Sequence, residues 1–92
     1  MEVDAVQYCV SDGVLARSVG DTVILFHPES ERLFSLHETG VRIWQIMAEQ
    51  PEVDQIVARL IEEYEGSGIE IQQQVIEFLS KLEAERIIRR TS

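Results

Sequence analysis

Cysteine, positive charge and long apolar runs are all scarce in this sequence of 92 residues. The single cysteine, Cys9, excludes an internal disulfide framework and a zinc site built from several cysteines. No apolar run approaches the roughly 20 residues that a membrane-spanning helix needs. The start of the chain, Met1–Asp4, is acidic, whereas a signal peptide opens with positive charge. We therefore expect a cytoplasmic protein that does not insert into a membrane.

The small number of basic residues bears on the choice of partner. Eight Lys and Arg against 17 Asp and Glu give a formal net charge of −9 at pH 7. Such a charge repels phosphate backbones and anionic lipid, so we expect neither nucleic acid nor a membrane surface as a partner. A partner with basic residues is favoured. The chain's own basic residues gather near its end, where cations complement the dipole of a C-terminal helix, at Lys81, Arg86, Arg89 and Arg90.

Residues that could carry catalysis or bind a metal are also few. A nucleophilic Cys9 would need a histidine base, and the candidates are His27 and His37. Cys9 alternates with Tyr8 and Val10 in a strand-like segment, where a cysteine is usually a small buried hydrophobe. The spacing of the histidines and carboxylates matches no metal-binding motif. We expect no catalytic residue, no metal and no cofactor, and a hydrolase that uses Cys9 is the alternative.

The length and the hydrophobic fraction of 45% predict a single domain over residues 1–92 with one modest core. Its first 36 residues have the pattern of strands. Asp12-Gly13 predicts a type I′ turn that joins Val6–Ser11 to Val14–Val19. The apolar run Thr22–Phe26 predicts a central strand, and Arg32–Leu36 predicts the last strand. We expect a meander of three antiparallel strands, or four if Val6–Ser11 pairs as well.

The remainder of the chain is predicted to be helical. Residues 38–49 carry a broad apolar surface, which is typical of a central helix. Pro51 suits the first turn of a second helix, whose apolar residues between Val53 and Tyr64 follow one face. Gly66-Ser67-Gly68 is expected to end that helix.

A third helix is predicted from about Ile71 to Arg86, with Ile87-Ile88 as an extended tail that packs back. Three short antiparallel strands followed by three helices predict an α+β domain that resembles a winged helix-turn-helix.

The junction between the last predicted strand and the first predicted helix carries a motif. Residues 33–44 read LFSLHETGVRIW, similar to an aromatic-x-Leu-Asn-x-Thr-Gly-x-x-Ile-Trp pattern. Through this motif, residues 14–88 resemble the PQQ-biosynthesis protein D-like family, the leader-recognition elements of ribosomally made, modified peptides. The sequence departs from the family at His37, where Asn would be a better N-cap, and at Pro51-Glu52, which replaces a Gly- and Thr-containing approach to the second helix.

The resemblance implies a peptide-binding site. In the family, a leader peptide pairs antiparallel to the last strand and fills a cleft against the third helix. An edge strand can accept a partner by strand addition, which supports this implication independently. If Val6–Ser11 covers Val14–Val19, the edge at Arg32–Leu36 alone remains open. The residues implied to bind the peptide are Arg32, Leu33, Phe34, Ser35, Leu36, Ile71, Gln74, Val75, Phe78 and Leu82; for Val75 and Leu82, a role in the core alone is an equally good interpretation.

The function implied by the resemblance is binding of a precursor's leader peptide and its delivery to maturation enzymes. A stand-alone chain of this length is most similar to proteins of lasso-peptide pathways, in which a separate leader peptidase acts. The alternative is PQQ-type maturation with a radical SAM enzyme, and the neighbouring genes would distinguish the two. A DNA-binding winged helix is disfavoured, because the second helix contributes only Arg59 as a basic residue.

Overall fold

The computed structural model describes residues 6–64 and 66–91, and within them the chain forms an α+β fold. The strands before the helices are followed by three helices and a short final strand, which confirms the predicted class. The elements in chain order are β1 (Tyr8–Val10), β2 (Leu15–Val19), β3 (Thr22–His27), β4 (Arg32–Leu36), α1 (Thr39–Glu49), α2 (Val53–Glu63), α3 (Gly68–Ala84) and β5 (Ile88–Arg90).

The main sheet is the predicted antiparallel meander, with strand order β2-β3-β4. Gly20 is the first residue of the two-residue turn between β2 and β3 and has a φ of 60°, a conformation that a tight hairpin turn assigns to glycine. Along β3 the side chains of Val23, Leu25 and His27 are buried. Those of Ile24 and Phe26 are half-buried on the other face, as the two-residue period of a strand requires.

The meander has three strands, because Val6–Ser11 does not pair with Val14–Val19, the possibility that the sequence left open. β1 instead pairs with β5 in a separate two-stranded sheet, with Val10 opposite Ile88. A tight turn does form at Asp12-Gly13, since the Val14 N–H donates to the Ser11 carbonyl at 3.3 Å. Gly13 has a positive φ of 86° but Asp12 does not, so the turn is not type I′. The two flanking strands accordingly do not form the hairpin that a type I′ turn would join.

Two boundaries near the second helix also differ from the expectation. Pro51 does not lie in the first turn, because α2 begins at Val53, and the Pro51 carbonyl accepts the Tyr8 N–H at 3.2 Å. α2 ends at Glu63, before Gly66-Ser67-Gly68. Ser67 instead caps the start of α3, since its Oγ accepts the N–H of Ile69 at 3.2 Å. α3 therefore begins at Gly68 and not at Ile71.

The core lies between the inner face of the main sheet and the three helices, and the final strand closes it. Ile87 and Ile88 are 0% and 1% exposed, which confirms the predicted extended tail that packs back on the domain. The buried apolar residues share this one cluster, formed by Tyr8, Val23, Leu25, Leu36, Ile43, Ile46, Met47, Ile56, Leu60, Ile71, Val75, Leu79, Leu82, Ile87 and Ile88.

Candidate functional site

Both edges of the main sheet are open. β3 lies between β2 and β4, and within residues 6–64 and 66–91 neither outer strand pairs with another strand on its free side. The condition under which β4 alone would be open is not met, because β1 pairs with β5 and leaves β2 uncovered. Each free edge presents backbone N–H and C=O groups to which an extended peptide can add. The side chains beside each edge must therefore decide which edge is the better site.

The β4 edge combines apolar side chains with an ion pair to the end of α3. Phe34 is half-buried on the core-facing side of β4, and Leu36 is buried. The guanidinium of Arg32 lies 5.4 Å from the centroid of the Phe34 ring and forms an ion pair with Glu85 at 2.9 Å. Because Glu85 is the C-cap of α3, this ion pair links the start of β4 to the end of that helix.

Phe78 of α3 lies at the junction between β4 and α1. A Cβ atom added at Gly40 would be 3.0 Å from Cε1 of the Phe78 ring, so the ring packs against the backbone at the start of α1. Phe78 is half-buried, whereas Val75 and Leu82 on the same helix are 0% and 4% exposed. Phe78 is thus the aromatic residue that α3 offers at its surface, and its two aliphatic neighbours lie in the core.

A small cavity extends the site beyond the end of β4. It has a volume of about 220 Å³ and lies between the first residue of α1, the end of α2 and the start of α3. Ile71 and Gln74 both line it, together with Thr39 and Tyr64. The cavity therefore brings two of the predicted site residues, Ile71 and Gln74, together in one lining.

The ten predicted site residues divide into two groups. Some are at least partly exposed in the unbound chain, whereas the others are buried. The accessible ones are Arg32, Leu33, Phe34, Ser35, Gln74 and Phe78, and the buried ones are Leu36, Ile71, Val75 and Leu82.

The β2 edge has different chemistry. Its core-facing residues, Ala16 and Ser18, are small and exposed, so it presents no large apolar side chain toward the helices. A cavity of about 470 Å³ lies beside it, with Trp44 in its lining together with the charged residues Arg17 and Glu49. On the side that faces the helices, β4 therefore offers the larger apolar side chains, whereas the exposed apolar residues of β2, Leu15 and Val19, lie on the outer face.

Sequence analysis missed the apolar character of the outer face of the sheet. Leu15 and Leu33 are 63% and 67% exposed, and both lie directly opposite Phe26 in the sheet register. The alternation of side chains in β4 could have indicated that Leu33 faces away from Phe34. The alignment of Leu15 with Leu33 across Phe26 depends on the strand register, which only the structure shows.

The groups considered for catalysis have other partners. Nδ1 of His27 accepts the Glu29 N–H at 3.3 Å, and Nδ1 of His37 lies 3.5 Å from Oγ1 of Thr22. Within the described residues, Cys9 forms no hydrogen bond with either histidine, and no group of three or more His, Cys, Asp or Glu could hold a metal ion. No helix in this part of the chain is long and apolar enough to cross a membrane.

An antiparallel sheet followed by three helices is an architecture that unrelated functions share, so the class of this domain comes from comparison with known proteins. The family described as coenzyme PQQ synthesis protein D (PqqD) matches residues 22–88, and the chain belongs to this family. No curated protein sequence matches the chain.

Among solved structures, the chain is similar to TbiB1 in complex with the TbiA(beta) leader peptide. The TM-score is 0.81 at 26% sequence identity, over 86% of this chain and 92% of that one. This similarity confirms the resemblance predicted from residues 33–44.

Proposed function

We propose that this chain binds the leader segment of a ribosomally synthesised precursor peptide by strand addition to β4. The observation that carries the proposal is an unpaired β4 edge beside the aromatic residues Phe34 and Phe78. This edge belongs to a fold that is similar to TbiB1, a protein solved with a leader peptide bound. The unpaired backbone groups of β4 and the half-buried ring of Phe34 on that strand are suited to binding an extended peptide.

Two kinds of contact would give the complex its affinity and its specificity. The free N–H and C=O groups of β4 would bond to the backbone of the peptide, whatever its sequence. The side chains of Phe34 and Phe78, and the cavity lined by Ile71 and Gln74, would select particular leader side chains. The buried residues Val75 and Leu82 would hold Phe78 and its helix in position from the core.

The leader would then be delivered to a maturation enzyme. We propose that this enzyme is a leader peptidase of a lasso-peptide pathway, and PQQ-type maturation by a radical SAM enzyme is the alternative. The genes beside this chain test the choice. A peptidase and an asparagine-synthetase-like cyclase support the first pathway, and a radical SAM protein supports the second.

Hydrogen exchange tests the edge directly. The probe is a synthetic leader of the precursor peptide encoded beside this chain, with a scrambled version of the same peptide as the control. Binding at β4 should slow exchange at alternate amides of Arg32–Leu36, since a ladder bonds every second residue on each side. The amides of Leu15–Val19 should remain unchanged. Protection confined to Leu15–Val19 would place the peptide on β2 and contradict the proposal.

The alternative of a hydrolase is tested with Cys9→Ser. Because Cys9 lies in β1, away from the main sheet, the substitution should leave leader affinity nearly unchanged. Turnover of the precursor by the isolated wild-type chain, lost in Cys9→Ser, would instead show an enzyme.

A further inference from the structure

Three apolar side chains form a row across the outer face of the main sheet. Leu15 of β2 is opposite Phe26 of β3, and Phe26 is opposite Leu33 of β4. Residues directly opposite each other in an antiparallel sheet project to the same face. The row therefore crosses all three strands and faces away from the helices.

The two ends of this row are highly exposed. Leu33 is 67% and Leu15 is 63% exposed, whereas Phe26 between them is half-buried. Each leucine lies on a free edge strand, so each lacks a neighbour on one side within the described residues. A strand added at either edge would supply the missing neighbour of one leucine and leave the other unchanged.

A peptide added to β4 would place side chains on the outer face of the sheet as well as on the face that meets the helices. Side chains of the added peptide alternate between the two faces. Those that point inward meet Phe34 and α3, while those between them point outward beside Leu33 and Ser35, the two outward-facing residues of β4. In an antiparallel arrangement, the Cβ atom of the peptide residue opposite Leu33 would lie roughly 5 Å from that of Leu33.

We propose that Leu33 forms a second, outward-facing subsite, which selects an apolar leader side chain directly opposite it. The row of three apolar residues then becomes a row of four. The leader residue opposite Ser35 meets a small polar side chain instead, so that position should tolerate substitution. The inference rests on the proposed function and adds the requirement that the leader is selected on both faces of the sheet.

Leu33→Thr tests the subsite, and Leu15→Thr is its matched control. Both leucines lie in the same row with nearly equal exposure, and threonine retains strand propensity. The probe is the fluorescein-labelled leader of the precursor encoded beside this chain, measured by anisotropy. Leu33→Thr should weaken its affinity roughly three- to tenfold, from the lost cross-strand pair and the apolar area. Leu15→Thr should match the wild type, and Leu33→Val should retain most of the affinity.

A leader scan identifies the partner residue. Each leader position is replaced in turn by serine, and each peptide is measured against the wild type and Leu33→Thr. One apolar position should lose affinity for the wild type but show little further loss for Leu33→Thr, because the pair is already broken. Melting temperatures of all variants are measured to confirm that they are folded.

The outcomes separate this inference from the function on which it rests. A wild-type chain that does not bind the leader overturns the proposed function. Binding by the wild type with equal affinity in Leu33→Thr overturns the subsite and leaves the function standing. Weakening by Leu15→Thr in place of Leu33→Thr moves the peptide to β2 and overturns the subsite at Leu33.

Discussion

Gly40 and Phe78 meet where the last strand of the main sheet passes into the first helix. The Phe78 ring occupies the space that a side chain at position 40 would need, with 3.0 Å between Cε1 and the added Cβ. A glycine inside a helix is less favourable than alanine by roughly 1 kcal/mol, so this close contact gives a physical reason for the glycine. The pair thereby fixes the aromatic surface next to β4.

A double-mutant cycle tests this packing. In Gly40→Ala, the new Cβ atom comes so close to the Phe78 ring that the ring must shift. In the double variant Gly40→Ala with Phe78→Leu, the smaller leucine side chain removes this close contact. We expect a coupling on the order of 1 kcal/mol in the free energy of unfolding, measured by denaturant titration. Additive effects of the two substitutions would show that the ring is free to move away.

Phe78→Ala tests the role of the ring in binding. We expect leader affinity to fall by about 1–3 kcal/mol, the size of loss typical of an aromatic anchor. Ile76→Ala is the control, because Ile76 lies on the same helix and lines a different cavity, with Val6 and Tyr8. Thermal unfolding of the same samples separates lost binding from lost stability. Equal losses of affinity in both variants would indicate a general effect on α3 and not an anchor.

At the scale of elements, the pairing of β1 with β5 joins the two ends of the described chain. The Ser11 N–H donates to the Ile87 carbonyl at 2.9 Å, and the Tyr8 hydroxyl donates to Glu83 of α3 at 3.1 Å. Ile88 and Tyr8 bury the apolar side of this small sheet, since they are 1% and 5% exposed. The final strand is therefore part of the core and not a loose tail.

Ile88→Ala should lower the free energy of unfolding by about 2–4 kcal/mol, the usual result of truncating a fully buried aliphatic side chain. Arg89→Ala is the control at the next position, where the exposed side chain should change stability by less than about 0.5 kcal/mol. Both values come from chemical denaturation. Similar effects of the two substitutions would contradict the burial of β5.

A second link joins α1 to α2. Arg42 donates from Nε to Oε1 of Glu63 at 2.7 Å and also bonds to Oε2 through Nη2. This hydrogen-bonded pair lowers the pKa of Glu63 below its ordinary value of 4.5, mainly through the hydrogen bond, and raises the pKa of Arg42. The pair is exposed, so its contribution to stability is small.

The sign of the shift in pKa predicts how the stability of this link depends on pH. A carboxylate with a lowered folded-state pKa contributes stability above its unfolded-state pKa, and the contribution is lost as the pH falls through the folded-state value. The difference in unfolding free energy between the wild type and Glu63→Gln should therefore be constant at neutral pH and shrink in acid. Glu62→Gln is the control. A difference independent of pH would show that the ion pair is not formed.

For the molecule as a whole, net charge should act on the rate of association. At −9 the chain attracts a basic leader over long range, and salt screens this attraction. If the leader is basic, we expect the association rate to fall as ionic strength rises, with less change in the dissociation rate. Stopped-flow mixing at several salt concentrations measures both. An association rate independent of salt would exclude steering without affecting strand addition.

Local patterns were sufficient to predict most elements of the fold. The alternation in Arg32–Leu36 and the helical spacing between Val53 and Tyr64 depend only on neighbouring residues, and both elements form close to the expected positions. Asp12-Gly13 illustrates the limit. The dipeptide predicts a turn, but the turn type depends on the φ angle of Asp12, which the distant pairing of β1 with β5 decides.

The sequence by itself determined the order of strands and helices. Residues 33–44 also indicated the family, and the family resemblance gave the expected position of the peptide site at β4 and α3. Within residues 6–64 and 66–91, the tertiary structure decided that both sheet edges are open and that Val75 and Leu82 lie in the core. It also decided that Leu15, Phe26 and Leu33 align in one row. The physical reason is the range of the interactions. Periodicity and turn propensity act over a few residues, whereas strand partners and burial depend on contacts between segments far apart in the chain.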